Sequence, residues 1–317
     1  MLSRVADTIF WMYRYLERAE NNARFLDVNF NLVLDLPPGT TEQWKPLVIA
    51  TGGLEDYIIN HEGFRKNDVI QFIGFDEMNP NSIYSCLRNA RENARMVREN
   101  LTKELWEEIN NLYLFVFETV KKGKWAKSDP RNFFTKVKKG CQNLWGINES
   151  TISRSDGWHF GQLGQSLERA DNTSRILDVK YHILLPSVES VGTPLDIIHW
   201  AALLKSVSAY NMYRRHYGKI LPVNITQFLI LEKEFPRSIL FSLQKAELSL
   251  RKISGNQSSG YANQAEKKLG SLRADLEFAD INDIFTGGLH EYLDDLQKKI
   301  SGISLSIYDT YFDHNIY

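Results

Sequence analysis

Two segments of the chain combine carboxylates with guanidinium groups at a spacing that could support chemistry. Residues 16–28 have the sequence LERAENNARFLDV and residues 167–179 have LERADNTSRILDV, so nine of 13 positions are identical. On a helix, Glu20 and Arg24 fall within about 60° of the direction of Glu17. A glutamate in such a stripe could act as a general acid or base, and the arginines could bind a carboxylate or a phosphate.

The two copies retain this polar stripe at least as well as the apolar face, since Phe25 is replaced by Ile176. An exposed ion pair contributes only about 0–1 kcal/mol, whereas removing one partner of a buried pair costs several kcal/mol. Three interpretations remain open: a buried structural network, a polar site for a ligand or partner, and an exposed helix face. The stripe residues are Glu17, Glu20, Asn21 and Arg24 in the first copy and Glu168, Asp171, Asn172 and Arg175 in the second.

Motifs for cofactor or metal chemistry are missing from the sequence. The stripe acids could surround a metal ion, but the arginines beside them oppose it. None of the seven histidines lies in an HExxH motif. The chain contains neither GxxxxGK[ST] nor GxGxxG, so we expect no P-loop and no Rossmann turn. We therefore predict no metal and no cofactor.

The composition is that of an ordinary globular protein. The chain has 317 residues, a net charge of −1 and 43% hydrophobic residues. This balance gives no overall attraction to nucleic acid or to an acidic membrane, and no apolar stretch is long enough for a membrane span. The two cysteines, Cys86 and Cys141, form no CxxC motif and suggest a reducing compartment. We expect a cytoplasmic protein with no nucleic-acid or membrane partner, and the sequence leaves its oligomeric state open.

A second repeat supports an internal duplication. Residues 71–90 resemble residues 227–246 at an offset of 156, close to the offset of 151 between the Glu-Arg segments. We predict an all-α helical bundle of two duplicated multi-helix halves related by a pseudo-twofold. The halves would be residues 1–150 and 151–317, which would share one core within a single compact domain.

Apolar spacings of three and four residues predict helices through nearly the whole chain. Residues 37–39 and Pro186 would end the two Glu-Arg helices, and Asn79-Pro80 and Phe235-Pro236 would begin a second equivalent pair. Residues 303–307 fit either a strand or a helix. The helix ranges predicted are 3–36, 42–60, 80–100, 103–122, 130–144, 157–185, 194–217, 261–279 and 283–300.

The first Glu-Arg segment and its flanks resemble a known signature. Arg4, the run WMYRYLERAEN at residues 11–21 and the following Ala23-Arg24 resemble the N-terminal signature of the alpha-E family, an all-helical domain named for its conserved Glu-Arg motif. Residues 160–171, FGQLGQSLERAD, resemble its second signature, in which the family usually has an arginine where this chain has Gln165. The resemblance spans essentially the whole chain. It marks Arg4, Arg14, Glu17, Arg18, Asn21, Arg24, Glu168, Arg169, Asn172 and Arg175.

The resemblance also implies a functional setting. Members of the family are associated with ATP-grasp-type ligases and transglutaminase-like cysteine peptidases, in systems thought to make or modify peptides. The resemblance therefore implies an accessory or binding protein of such a system, with the ligase or the peptidase as its protein partner. One alternative is an enzyme of that system in which Glu17 or Glu168 acts as acid or base. Another is a helical scaffold without a small-molecule site.

Overall fold

The computed structural model describes residues 1–35, 43–123, 125, 129–184, 193–258 and 260–313. Every regular element within these residues is helical, which confirms the all-α prediction. The predicted stops at residues 37–39 and Pro186 lie outside the described residues. The α-helices are α1 Ser3–Asp35, α2 Lys45–Ala50, α3 Leu54–Asn60, α4 Lys66–Ile70, α5 Ile83–Met96, α6 Lys103–Lys121, α7 Arg131–Thr151, α8 Asp156–Leu184, α9 Pro194–Ser206, α10 Tyr210–Tyr217, α11 Pro222–Leu231, α12 Ile239–Ser254, α13 Gln264–Glu277, α14 Ile281–Thr286 and α15 Leu289–Ile307.

The two long Glu-Arg helices, α1 and α8, pack against each other at the centre of the molecule. Glycines in α8 allow the close approach. A Cβ on Gly164 would lie 2.4 Å from the backbone oxygen of Phe10, and one on Gly161 would lie 2.7 Å from the ring of Tyr13. Because real side chains do not approach so closely, the glycines of the FGQLGQ segment set how near α8 lies to α1.

Four further helices enclose this central pair. Helices α5 and α7 pack on α1, whereas α12 and α15 pack on α8. The apolar residues of the two Glu-Arg segments contribute to one continuous core, in which Leu16 and Leu167 are both buried. Burying apolar surface in this way supplies most of the favourable free energy of folding. The opposite, polar faces of the same two helices are also enclosed.

Two helices predicted as continuous are each broken in the middle. The predicted helix 42–60 consists of α2 and α3, and the predicted helix 194–217 consists of α9 and α10. Gly52 interrupts the first with φ +72°, and Ser208 interrupts the second with φ +55°. A left-handed residue turns the chain out of a right-handed helix. The predictions were wrong here because the apolar spacing continues across both breaks.

The predicted starts at Asn79-Pro80 and Phe235-Pro236 were also wrong by a few residues. Helix α5 is capped by Ser82, whose Oγ accepts a hydrogen bond of 3.1 Å from the amide of Ser85. Ser238 caps α12 in the same way. The Asn79 side chain instead accepts from the amide of Asn81, which closes a turn ahead of the helix. The two prolines therefore lie in the approach to each helix.

Other predicted boundaries were partly correct. Thr102 caps α6 as predicted, and α1 and α8 begin and end within a residue or two of their predicted bounds. The predicted helix 283–300 is divided into α14 and α15 at Gly288, whose φ is +95°. Helix α15 continues through residues 303–307, so that segment is helical. None of the described helices is long and apolar enough to cross a membrane.

Candidate functional site

The polar stripes of α1 and α8 face each other inside the molecule. The exposed fraction is 0% for Glu17 and 1% for Glu168. Both glutamates are hydrogen-bonded to arginines, so of the three interpretations left open by the sequence, an exposed helix face is wrong. Each carboxylate is bound mainly by arginines of the other helix, and this exchange joins α1 to α8 through charged hydrogen bonds.

Glu168 is held by two arginines from α1. Arg18 binds it in a bidentate manner, with Nε 2.7 Å from Oε1 and Nη2 3.0 Å from Oε2. Arg14 donates to Oε2 through Nε at 2.8 Å. Asn172, one turn along α8, donates to Oε1 at 3.2 Å. We call Glu168, Asp171 and their partners the Glu168 cluster.

Glu17 is bound in a closely similar way from α8. Arg169 donates from Nε at 3.0 Å and from Nη2 at 2.7 Å. Gln165 donates to Oε2 at 3.2 Å, in the role that Arg14 has at Glu168. A further guanidinium comes from Arg237, immediately before α12, whose Nη1 lies 2.9 Å from Oε1 of Glu17.

The second acid of each stripe extends its network. Glu20 accepts hydrogen bonds from Arg24, from Arg237 at 2.7 Å and from the indole of Trp145 at 2.8 Å. We call Glu17, Glu20 and their partners the Glu17 cluster. Asp171 accepts from Nε of Arg175 at 2.8 Å. The acids of both clusters are therefore paired with guanidinium groups.

The arginines keep both central glutamates ionised. Burial alone would raise the pKa of each carboxyl, but the neighbouring positive charges outweigh it and lower the pKa to about 2. The charges responsible are mainly those of Arg169 and Arg237 at Glu17, and of Arg18 and Arg14 at Glu168. A carboxylate with so low a pKa does not donate a proton at neutral pH and is a weak base.

Nearly all of the residues marked by the sequence converge on these clusters. Arg4 does not, because its side chain is exposed near the start of α1. Among the described residues, its side chain makes no hydrogen bond to either cluster. The residues brought together are Arg14, Glu17, Arg18, Glu20, Asn21, Arg24, Glu168, Arg169, Asp171, Asn172 and Arg175.

The sequence interpretation missed several members of the network, among them Asn81, Trp145 and Arg237. Asn81 accepts a hydrogen bond of 2.6 Å from Nη1 of Arg18. The second repeat contained a signal for two of them, because its offset of 156 places Asn81 opposite Arg237. Trp145 left no such signal, since a tryptophan on a helix is usually a core residue.

A large cavity opens beside Arg169, with a volume of about 600 Å³. We call it the basic cavity, because Arg169, Lys245 and Lys252 line it against a single acid, Glu149. Nη1 of Arg169 makes no hydrogen bond to any described residue. The other lining residues are Trp145, Trp158, His159, Gln162, Gln165, Ser166, Pro236, Phe241, Ser242, Leu248 and Ser249.

A smaller cavity of about 200 Å³ lies beside Glu168. We call it the polar cavity. It lies between the Glu168 cluster and the break that follows α2. Its lining residues are Arg18, Asn22, Ala50, Thr51, Gly52, Asn81, Glu168, Asp171, Asn172 and Arg175.

The described part of the chain gives little support for nucleophilic catalysis or for metal binding. Cys86 and Cys141 are both buried, and burial raises the pKa of the Cys86 thiol to about 12. Such a thiol remains protonated and unreactive. Among the residues that the structure describes, no group of three or more histidines, cysteines and acids is placed to hold a metal ion.

Comparison with known proteins identifies related sequences. Residues 1–312 match the Alpha-E family, described as a predicted alpha-helical domain with a conserved ER motif. An uncharacterized protein from Mycobacterium bovis and another from Mycobacterium tuberculosis are each 22% identical over 96% of this chain. The chain spans only 36% of the length of these relatives. No solved structure matches it.

Proposed function

The chain belongs to the Alpha-E family, and from this premise we propose that it is a helical binding module that accepts an anionic ligand in the basic cavity. The observation that carries the proposal is the position of Arg169. This guanidinium is fixed on Glu17 through two of its nitrogens and lines the cavity. The conserved Glu-Arg pair would then have a structural role and would also position a ligand-binding group.

The charge of the basic cavity favours an anion. Lys245 lies over the ring of Phe241, and neither Lys245 nor Lys252 forms an ion pair with an acid in the described part of the chain. Both lysines are exposed at the rim of the cavity, whereas Arg169 lies deeper. All three cations line the cavity, and each provides hydrogen-bond donors for the oxygens of a carboxylate or phosphate.

The size and walls of the basic cavity suit a small organic ligand. Its volume of about 600 Å³ falls within the range of roughly 300–1,000 Å³ typical of small-molecule sites. Trp145 and Trp158 provide aromatic surface. The buried indole nitrogen of Trp158 has no hydrogen-bond partner among the described residues, and a ligand oxygen could accept from it.

Acid-base catalysis by Glu17 or Glu168 is less well supported. Each carboxylate has a pKa of about 2 and is bound by at least two guanidinium groups. Both properties disfavour proton transfer near neutral pH. The nearly complete pairing of the two clusters favours instead a structural role for the network, which is compatible with a binding module or with a scaffold.

We propose that the module assists a catalytic partner, either an ATP-grasp-type ligase or a transglutaminase-like peptidase of a peptide synthesis or modification system. The Alpha-E resemblance supports this, and the relatives are much longer than this chain. Co-purification of the tagged chain with such a ligase or peptidase from its own cells would support the proposal. Failure to recover either enzyme, with a known complex recovered in parallel, would contradict it.

We also propose that the two halves, 1–150 and 151–317, arose by duplication and are related by a pseudo-twofold. Matching contacts at the two sequence offsets support this. They are Arg18 to Glu168 and Arg169 to Glu17, Asn22 to the backbone of Asn81 and Thr173 to that of Arg237, and Tyr57 to Gly63 and Tyr213 to Lys219. An experimental structure in which the halves superpose poorly would contradict the proposal.

Anion binding can be tested by calorimetry and tryptophan fluorescence with citrate, pyrophosphate and the dipeptide Glu-Glu as probes. We expect at least one probe to bind in the millimolar range or tighter. Replacing both Lys245 and Lys252 with alanine should weaken binding by about tenfold or more, because a hydrogen bond to a charged group contributes roughly 1.5–3 kcal/mol.

The matched control replaces Lys298 and Lys299 on α15, which are exposed and paired with their own acids. This variant should bind as the unaltered protein does. If no probe binds, or if the two double variants behave alike, the basic cavity is not an anion site and the scaffold interpretation is favoured.

A further inference from the structure

The two clusters differ in what fills the space next to the central glutamate. At Glu17 that space holds the guanidinium of Arg237. Its nitrogens lie 2.9 Å from Oε1 of Glu17, 2.9 Å from Oδ1 of Asn21 and 2.7 Å from Oε1 of Glu20. At Glu168 the corresponding space is the polar cavity, with a volume of about 200 Å³.

Asn81 stands at the place in the Glu168 cluster that Arg237 has in the Glu17 cluster. The amide of Asn22 on α1 donates to the backbone oxygen of Asn81 at 2.6 Å. The hydroxyl of Thr173 on α8 donates to that of Arg237 at 3.0 Å. The side chain of Asn81 is shorter, and its oxygen accepts from Arg18. It therefore leaves unfilled the volume that an arginine side chain occupies on the other side.

The residues at the two helix breaks enlarge the same difference. Ser208 and Gly52 both have a positive φ and are separated by 156 positions, as Arg237 and Asn81 are. The hydroxyl of Ser208 accepts a hydrogen bond from Arg24. Gly52 has no side chain, and a Cβ there would lie 3.7 Å from Nη1 of Arg175.

Two acceptor oxygens of the Glu168 cluster have no donor where the Glu17 cluster has Arg237. Oδ1 of Asp171 is buried and has no hydrogen-bond partner among the described residues. Asn172 is 7% exposed, and its amide nitrogen donates to Glu168. Its oxygen receives no hydrogen bond from the described chain. A buried carboxylate oxygen without a donor is costly, so these atoms favour a ligand that brings N–H groups.

We propose that the polar cavity binds the guanidinium group of a ligand, which would bridge Asp171 and Asn172 beside Glu168 as Arg237 bridges Glu20 and Asn21 beside Glu17. The nearby cations do not forbid this. Arg18 and Arg175 line the polar cavity, and their counterparts Arg169 and Arg24 bind the same two acids that Arg237 binds.

The charge of Arg14 limits the affinity that we expect of the polar cavity for a guanidinium group. Arg14 binds Glu168 where the neutral Gln165 binds Glu17, so the Glu168 cluster has three guanidinium groups for two acids before a ligand enters, as many as the Glu17 cluster has with Arg237 included. The binding should therefore be modest, in the millimolar range. This site is separate from the basic cavity, and either proposal can fail without the other.

Calorimetry with agmatine tests the proposal, with putrescine as the probe that has an ammonium in place of the guanidinium. We expect agmatine to bind the unaltered protein at one site and putrescine to bind at least tenfold more weakly. A blocked Gly-Arg-Gly peptide distinguishes the source of the group. If the peptide binds as well as agmatine, an arginine of a protein or peptide is the ligand, and if only agmatine binds, the ligand is a free small molecule.

The variant Asn81→Arg should fill the cavity from within. We expect it to melt at the same temperature as the unaltered protein or higher and to bind agmatine at least tenfold more weakly. Asn111→Arg, at an exposed position of α6, is the matched control and should bind normally. Arg237→Asn should open the second space, so that agmatine binds at two sites.

Asp171→Asn removes the carboxylate with the unpaired oxygen and should weaken agmatine binding by about tenfold. This variant still tests the proposal if Asn81→Arg or Arg237→Asn fails to fold. The proposal is overturned if agmatine does not bind at millimolar concentration or if putrescine binds equally well. It is also overturned if Asp171→Asn or a folded Asn81→Arg protein binds agmatine as tightly as the Asn111→Arg control does.

Discussion

At the scale of single residues, Glu17 and Glu168 are buried charges that are neutralised chiefly from outside their own helix. Arg169 and Arg237 bind Glu17, and Arg14 and Arg18 bind Glu168. Replacing both partners of a buried ion pair with apolar groups can be neutral, but removing one partner leaves an unpaired charge. These residues therefore contribute to stability as a set, and a substitution of any one of them should lower the free energy of unfolding strongly.

Glu17→Ala should lower the free energy of unfolding by about 3–5 kcal/mol, because it leaves the guanidinium of Arg169 without its carboxylate and that of Arg237 with Glu20 alone. Glu107→Ala on α6 is the control, since Glu107 is half exposed and its ion pair with Lys103 is 3.7 Å long. The control should change stability by no more than about 0.5 kcal/mol. Urea denaturation measures both, and equal effects would mean that the buried network does not stabilise the fold.

Stability should also depend on acid pH through Glu168. Its pKa is about 2 in the folded protein, below its ordinary value of 4.5. A carboxyl whose pKa is lowered by folding stabilises the protein above the unfolded value and loses that contribution as the pH falls. The midpoint of urea unfolding should therefore decrease from pH 4.5 towards pH 2. Glu168→Gln should show a shallower decrease, and identical slopes would contradict the assignment.

At the scale of elements, the sequence predicted the long helices better than the short ones. Helices α1 and α8 have unbroken apolar stripes, and their bounds were close to the prediction. The breaks at Gly52 and Ser208 each depend on a single left-handed residue. Such a residue barely alters the apolar spacing of its neighbours, so periodicity alone could not locate either break. Helices α5 and α12 begin after the caps Ser82 and Ser238, later than predicted, because Pro80 and Pro236 lie in turns that precede the helices.

The close packing of α1 against α8 depends on a glycine that the motif contains. Gly164→Ala should lower the free energy of unfolding by about 1–3 kcal/mol, since its Cβ would lie 2.4 Å from the backbone oxygen of Phe10. Gly302→Ala on α15 is the control, because no atom lies within 4 Å of a Cβ there. Alanine favours helix over glycine, so the control should be neutral or stabilising. In thermal melts, the melting temperature should fall for Gly164→Ala and should stay the same or rise for Gly302→Ala.

At the scale of the whole molecule, the sequence predicted the polar stripes but not the complete network. The repeat identified Glu17 and Glu168 because both copies of the Glu-Arg segment have a glutamate at that position. Arg237 lies 220 residues from Glu17, and only the folded chain brings the two together. Asn81 and Arg237 lie at matching repeat positions, which relates them to each other, but they differ in type, so retention of a residue in both copies did not select them. Their difference leaves the polar cavity on one side only.

The ion pairs between α1 and α8 also make each half of the chain depend on the other. Residues 1–150 contain Glu17, but its partners Arg169 and Arg237 belong to residues 151–317. Glu168 in the second half likewise needs Arg14 and Arg18 from the first. A separated half would have buried charges without partners, at about 3–5 kcal/mol for each pair. That penalty is comparable to the total stability of a typical domain, about 5–15 kcal/mol.

We therefore expect neither half to fold alone and the intact chain to unfold in one cooperative transition. Residues 1–150 and 151–317, expressed separately, should lack sharp melting transitions and dispersed amide NMR spectra. Mixing the two fragments under conditions that prevent aggregation should restore the melting transition and the dispersed NMR spectrum. The charge-reversed first half, Arg18→Glu, is the control and should fail to complement, because it would place a carboxylate against Glu168. If the first half melts cooperatively near the temperature of the intact chain, the halves are independent domains and the shared core proposed for them is wrong.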